Sequence, residues 1–140
     1  MANTQGIGAT FKQAALGGVI DGKTLKAALY LVSATTGPTN TAYTATGEVT
    51  GTNYTAGGVS VTNANTAGLT STTAYWTPSA SITYTTVTLS TAFDAVMIYS
   101  TTDTNRNLGV FTFGSQTITA GTFTLTMPTN DSSTGLIRFA

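Results

Sequence analysis

The chain has 140 residues, and only 7% of them are charged, with five Lys or Arg balanced by five Asp or Glu. An average soluble domain carries about 25% charged residues; here threonine, roughly a quarter of the chain, supplies much of the polarity instead. The dispersed bases Lys12, Lys23, Lys26, Arg106 and Arg138 form no patch for a row of phosphates, and no apolar run approaches the ~20 residues of a membrane-spanning helix, so neither nucleic acid nor membrane is an expected partner.

Chain order begins with an uncharged stretch up to Thr10, and the apolar run from Ala14 to Ile20 is broken by Gly17-Gly18. That pattern does not read as a secretory leader, and manufacture without Sec-type export is expected. A short helix is predicted over about residues 10–21, with Thr10 as N-cap and Gly22 ending it. Phe11, Ala14, Ala15 and Val19 recur at helical spacing. They are expected to lie on a sheet through Phe11 and Val19, and a buried Phe11 ring would make Phe11→Ala cost roughly 3 kcal/mol.

Strand patterning follows. Leu25 to Ser33 reads as a buried strand, with Leu25, Ala27, Leu29 and Leu31 on one face. Thr35–Thr46 is a polar loop, and Glu48-Val49 and Val59–Val61 flank a glycine-rich turn region. Asn63–Thr73 and the Thr35–Thr46 loop are the segments expected to be mobile or ordered by a partner. Alternation returns at Ile82–Leu89, Ala95–Tyr99, Leu108–Phe113, Gln116–Thr119, Thr122–Met127 and Leu136–Phe139. Asp103–Asn107 reads as a hairpin loop and Ala120-Gly121 as a two-residue hairpin turn, with Gly121 supplying the positive φ. About eight short strands imply a single mainly β domain over 1–140, an antiparallel β-sandwich or squat barrel with the jelly roll among the candidates.

Little in this chain is suited to catalysis. It lacks histidine and cysteine, which removes the commonest bases, thiol nucleophiles and soft metal ligands. The acids Asp21, Glu48, Asp94, Asp103 and Asp131 are scattered, mostly in turn-like segments. Asp94 reads as a strand-end turn residue. Asp103 and Asn105 alternate in a loop, but Arg106 follows and the EF-hand spacing is absent. No phosphate loop occurs. The expectation is a non-enzymatic protein with no catalytic residues, no metal, no cofactor and no small-molecule substrate.

Two groups of residues remain as candidates for other roles. Tyr75 and Trp76 are the candidate binding pair, because such side chains bury much area at low entropy cost. In a strand they point to opposite faces, so one would be core and the other contact surface. Glu48, Gly51, Tyr54, Gly57 and Gly58 form a candidate structural turn motif, in which glycines permit sharp turns and Glu48 accepts bonds from turn amides.

That turn segment, EVTGTNYTAGG from Glu48 to Gly58, resembles a motif of small virion structural proteins of tailed bacteriophages. The resemblance continues in order through the Phe11–Asp21 helix, the Lys26–Val32 strand, Met97-Ile98-Tyr99, Phe111-Thr112-Phe113-Gly114 and Phe123–Pro128, nearly the whole chain. It implies a structural component of the virion and transfers no catalytic residues. The leading expectation within that family is a capsid decoration, or cement, protein on the capsid exterior. It would be made in the host cytoplasm and bind the major capsid protein and copies of itself as a homo-oligomer. A tail, neck or fibre component is the alternative, and a carbohydrate-binding β-sandwich module is a second one. The uncharged, proline-free segments Ile82–Leu89 and Gln116–Met127 are expected to offer an unprotected sheet edge to a neighbour.

Overall fold

In the computed structural model, which describes residues 3–140, the order of elements is α1 (Ala9–Ile20), β1 (Leu25–Leu31), β2 (Val59–Val61), β3 (Gly68–Thr70), β4 (Thr73–Trp76), β5 (Ile82–Ser100), β6 (Arg106–Leu125) and β7 (Ile137–Phe139). The strands form two antiparallel sheets, ordered β2-β1-β5-β6 and β3-β4-β7. One core joins them: Leu16 and Ile20 of the helix, Leu25, Ala27 and Leu29 of β1, Ala74 and Trp76 of β4 and much of β5 belong to a single buried cluster. The protein is a mainly β, sandwich-like domain with one short helix.

In place of about eight short strands, the described residues form seven, two of them very long. β5 has 19 residues and absorbs both Ile82–Leu89 and Ala95–Tyr99; β6 has 20 and absorbs three predicted runs. Bulges explain the difference. Register shifts interrupt the β5–β6 ladder between Tyr84 and Val87, Val87 and Leu89, Leu89 and Phe93, and Phe93 and Ala95. Each breaks the alternation of side chains without ending the pairing. Ala120-Gly121 is one such irregularity and not a hairpin turn. Ala120 carries the positive φ of 45°, Thr86 has φ 48°, and Gly121 pairs with Val87. Asp94 likewise sits inside β5, at the shift between Phe93 and Ala95, and not at a strand end.

These bulges let the ribbon curl upon itself. Phe113 and Phe123 are ten positions apart in one strand, which would separate them by about 33 Å if it ran straight. Their ring centroids are 5.4 Å apart, and both rings meet Phe93 edge-on. The two halves of β6 therefore face each other across apolar side chains. The real hairpin turn of the ribbon lies over residues 101–105, close to the predicted Asp103–Asn107 loop.

β1 is buried on both faces, more than one-sided alternation implies. Leu25, Ala27 and Leu29 enter the main core, while Ala28 and Tyr30 join a second cluster with Ala95, Met97 and Tyr99. The segment 63–73, expected to be mobile, contains β3. Asn63 anchors it by donating to the carbonyls of Ile20 and Lys23 at 2.8 and 3.0 Å.

The helix lies on β4 and β3, but not through the predicted face. Phe11 is 67% exposed, while Leu16 and Ile20 are the buried residues and Val19 is half-buried. Leu16 and Ile20 share a face one turn apart, and Gly17 between them approaches Ala67 closely. Gln13 on the same side donates to the Ala67 carbonyl at 3.0 Å. The N-cap is Gly8, with no side-chain cap bond, so Thr10 lies within the first turn. Phe11→Ala is therefore expected to change the unfolding free energy by less than about 0.5 kcal/mol, as read from urea denaturation; a loss near 3 kcal/mol would place the ring in a core.

Candidate functional site

Glu48 is the only glutamate of the chain, and it is 8% exposed. It forms an isolated bridge with Tyr30 of β1, which carries its side chain under the loop that follows. Its Oε1 accepts from the Tyr54 hydroxyl and from the Gly57 N–H, both at 2.7 Å, and its Oε2 accepts from the Tyr43 hydroxyl at 2.6 Å. The Tyr54 oxygen in turn accepts the Leu29 N–H of β1 at 2.9 Å. The carboxylate is thus surrounded by oriented donors, which is how a buried anion without a cationic partner is held.

Other tyrosines close around it. The Tyr99 hydroxyl donates to the Gly57 carbonyl at 2.8 Å, Tyr84 to the Ala27 carbonyl at 2.7 Å and Tyr30 to the Thr44 carbonyl at 2.7 Å. Tyr43 stacks on Tyr99 with centroids 4.8 Å apart, and Tyr54 on Tyr84 at 6.0 Å. Five of the chain's six tyrosines are thereby committed to fastening residues 43–58 onto β1 and β5.

The remaining motif residues make the close approach possible. The loop meets β5 at Thr52 and Thr88, whose backbones exchange bonds of 3.2 and 3.1 Å. A Cβ on Gly51 would collide with the Thr88 carbonyl oxygen there. Gly58 has φ +78°, and a Cβ on it would collide with the Ala27 carbonyl oxygen of β1. The arrangement folds a connecting segment into a second layer over the sheet. Both carboxylate oxygens are engaged by donors of the protein itself.

The aromatic pair separates as strand geometry requires. Tyr75 is half-buried, its ring lying against Gly68. Trp76 is completely buried, and its Nε1–H donates to the Asn63 Oδ1 at 3.1 Å and the Asn65 carbonyl at 3.2 Å. Trp76 is therefore a core residue and no contact candidate; the two asparagines satisfy its one polar atom. Tyr75 is the member left at the surface.

Three of the other acids have partners of their own. Asp21 Oδ1 accepts the Ala67 N–H at 2.8 Å, Asp103 pairs with Arg106, and Asp131 Oδ1 accepts the N–H groups of Ser133 and Thr134 at 2.7 and 2.6 Å. Those two bonds, from Thr134 first, hold the Asp131 carboxyl below its usual range. Among the described residues no group of three acidic side chains comes together, and no helix is long and apolar enough to cross a membrane.

No protein-family model, no curated protein and no solved structure matches this chain.

Sequence reasoning found Glu48, Tyr54 and the glycines but missed Tyr30, Tyr43, Tyr84 and Tyr99. The available signal was compositional: a single glutamate and six tyrosines in a chain nearly without charge.

The cluster has a pH signature. Burial, reinforced by the negative charge of Glu48, pushes the Tyr30 hydroxyl up to about 12. Burial first and Glu48 second raise Tyr43, Tyr84 and Tyr99 as well, and burial likewise raises Tyr54, whose hydroxyl also donates to Glu48. An unfolded tyrosine loses its proton near pH 10, while the folded protein retains these protons to higher pH. Their stabilising contribution is complete below pH 10 and is lost as pH rises from about 10 through 12 and beyond. Urea midpoints should hold level into the weakly alkaline range and then fall steeply, with phenolate absorbance appearing together with unfolding. Simple titration of all six tyrosines near pH 10 in the folded state would contradict this.

Proposed function

We propose that this chain is a capsid decoration protein of a tailed bacteriophage. In that role it is a non-enzymatic component that binds neighbouring subunits of the major capsid protein, and copies of itself, on the outside of the assembled head. The observation that carries the reading is the outer edge of β6. β6 is the terminal strand of its sheet. Among the described residues nothing beyond the Ala42–Arg106 bridge and its neighbouring bonds pairs its outer side. From Leu108 to Leu125 it carries no charge and no proline, the devices with which a free-standing protein protects an edge.

Burial points the same way. Eleven of the 19 positions of β5 are buried, but none of the 20 in β6 is, although β6 includes Leu108, Val110, Phe111, Phe113, Ile118, Phe123 and Leu125. A flank of this kind gains most from a neighbour. Neutrality suits the exterior of a shell better than its DNA-facing interior, where basic surface is favoured. An interface of many hydroxyl hydrogen bonds needs no desolvation of ions. The ordered resemblance to phage virion proteins supplies the particle; the edge supplies the means of attachment.

Binding to the assembled lattice alone stabilises that lattice by linkage. Particles lacking the protein should therefore assemble, yet release DNA at a lower temperature than complete particles, and electron microscopy of intact particles should find the protein on the head. Equal robustness without it, or density on the tail, would overturn the assignment in favour of a tail component.

A further inference from the structure

Two apolar features stand out among the described residues as exposed. The first is the stretch before the helix. Residues 3–8 are irregular and exposed throughout, and with Phe11 they carry the two most exposed large hydrophobic side chains among the described residues, Ile7 at 66% and Phe11 at 67%. The second is a cleft of about 140 Å³ lined by β5, by the first half of β6 and by the end of β6 with the residues that follow it. Its lining includes Phe111, Phe113, Leu125 and Met127 together with the buried Val96 and Ile98.

We propose that the Phe11 ring of one copy seats in this cleft of a second copy. An apolar cavity of about 150 Å³ lined by Leu, Ile and Phe stays dry and accepts a single benzene ring, which is the size of what Phe11 offers. Residues 3–11 carry no charge, and neither do the residues around the cleft, so closing the contact strips no ion of water. Seated there, the ring meets Phe111 and Phe113, which are only half-buried in the single chain. Ile7 lies one turn's length ahead of the ring and follows it onto the uncovered flank of β6. Ring and cleft are different surfaces, so each copy gives one ring and receives one, closing as a reciprocal dimer or a larger ring. Such a contact is the copy-to-copy part of the proposed role. Because it is measured on purified protein, its failure and the failure of head binding are separate results.

The test is sedimentation velocity of the purified chain beside two variants, Phe11→Ser, which removes the ring, and Thr112→Trp, which blocks the cleft from an exposed position. The wild type is expected to self-associate. Each variant should associate about 10- to 100-fold more weakly, the loss of one buried phenyl group, with a urea midpoint unchanged at dilutions where the wild type is monomeric. The absence of native cysteine permits a second readout: Phe11→Cys and Met127→Cys proteins, mixed and oxidised, should form a mixed disulfide in higher yield than either forms alone. A wild type that stays monomeric at high concentration would overturn the proposal. So would variants that associate as tightly as the wild type, or a chain carrying both cysteines that cross-links only within itself.

Discussion

Replacing Glu48 with alanine is expected to cost about 3–5 kcal/mol, a large share of the roughly 5–15 kcal/mol that holds a domain of this size together. Removing the carboxylate leaves three donors without an acceptor: the hydroxyls of Tyr43 and Tyr54 and the N–H of Gly57. Each unsatisfied buried donor costs about 1–3 kcal/mol, and the Gly57 bond is itself buried. Glu48→Gln keeps the shape but turns one acceptor into a donor facing another donor, so it should recover only part of the loss. Urea denaturation read through tyrosine fluorescence checks both. A cost below 1 kcal/mol for Glu48→Ala would mean that water satisfies these donors and the loop stands apart from the sheet.

Gly58→Ala is expected to be at least as damaging, about 4 kcal/mol or more, up to loss of the folded state. Two effects combine. The backbone there has φ +78°, a conformation that costs a residue with a Cβ roughly 1–2 kcal/mol. The new methyl would also meet the backbone of β1 at Ala27 and Ala28. A backbone in the middle of a sheet cannot step aside as a side-chain tip can, so the loop must lift and release Glu48 and its tyrosines. Gly114→Ala is the matched control, since a Cβ at that position in β6 meets nothing within 4 Å; it should leave the unfolding midpoint nearly unchanged. Equal midpoints for the two variants would remove the argument for close docking. Hydrogen exchange adds a local readout: in Gly58→Ala the N–H of Leu29 should lose protection, because its acceptor is the Tyr54 hydroxyl.

Everything that depended on near neighbours in the chain was legible in the amino-acid order. Threonine-rich alternation determined a mainly β protein, the run from Leu25 to Ser33 pointed to a buried strand, observed as Leu25–Leu31, and the polar Asp103–Asn107 stretch marked the ribbon's turn. The glycines at 51, 57 and 58 announced a sharply folded loop. These are local properties, set by side-chain period and backbone freedom. Tertiary structure alone decided the rest. Bulges kept the β5–β6 ladder paired where alternation faltered, so five apparent strands became two, and the ribbon curled until Phe113 met Phe123. The helix was free to bury either of two faces, and Leu16 with Ile20, drawn close to the sheet across Gly17, displaced Phe11 to the surface. Trp76 entered the core because Asn63 and Asn65 reach its indole N–H, and Glu48 is tolerated inside because tyrosines near and distant in the chain converge around it. A buried polar group is stable only through its partners, and those partners are chosen by the fold.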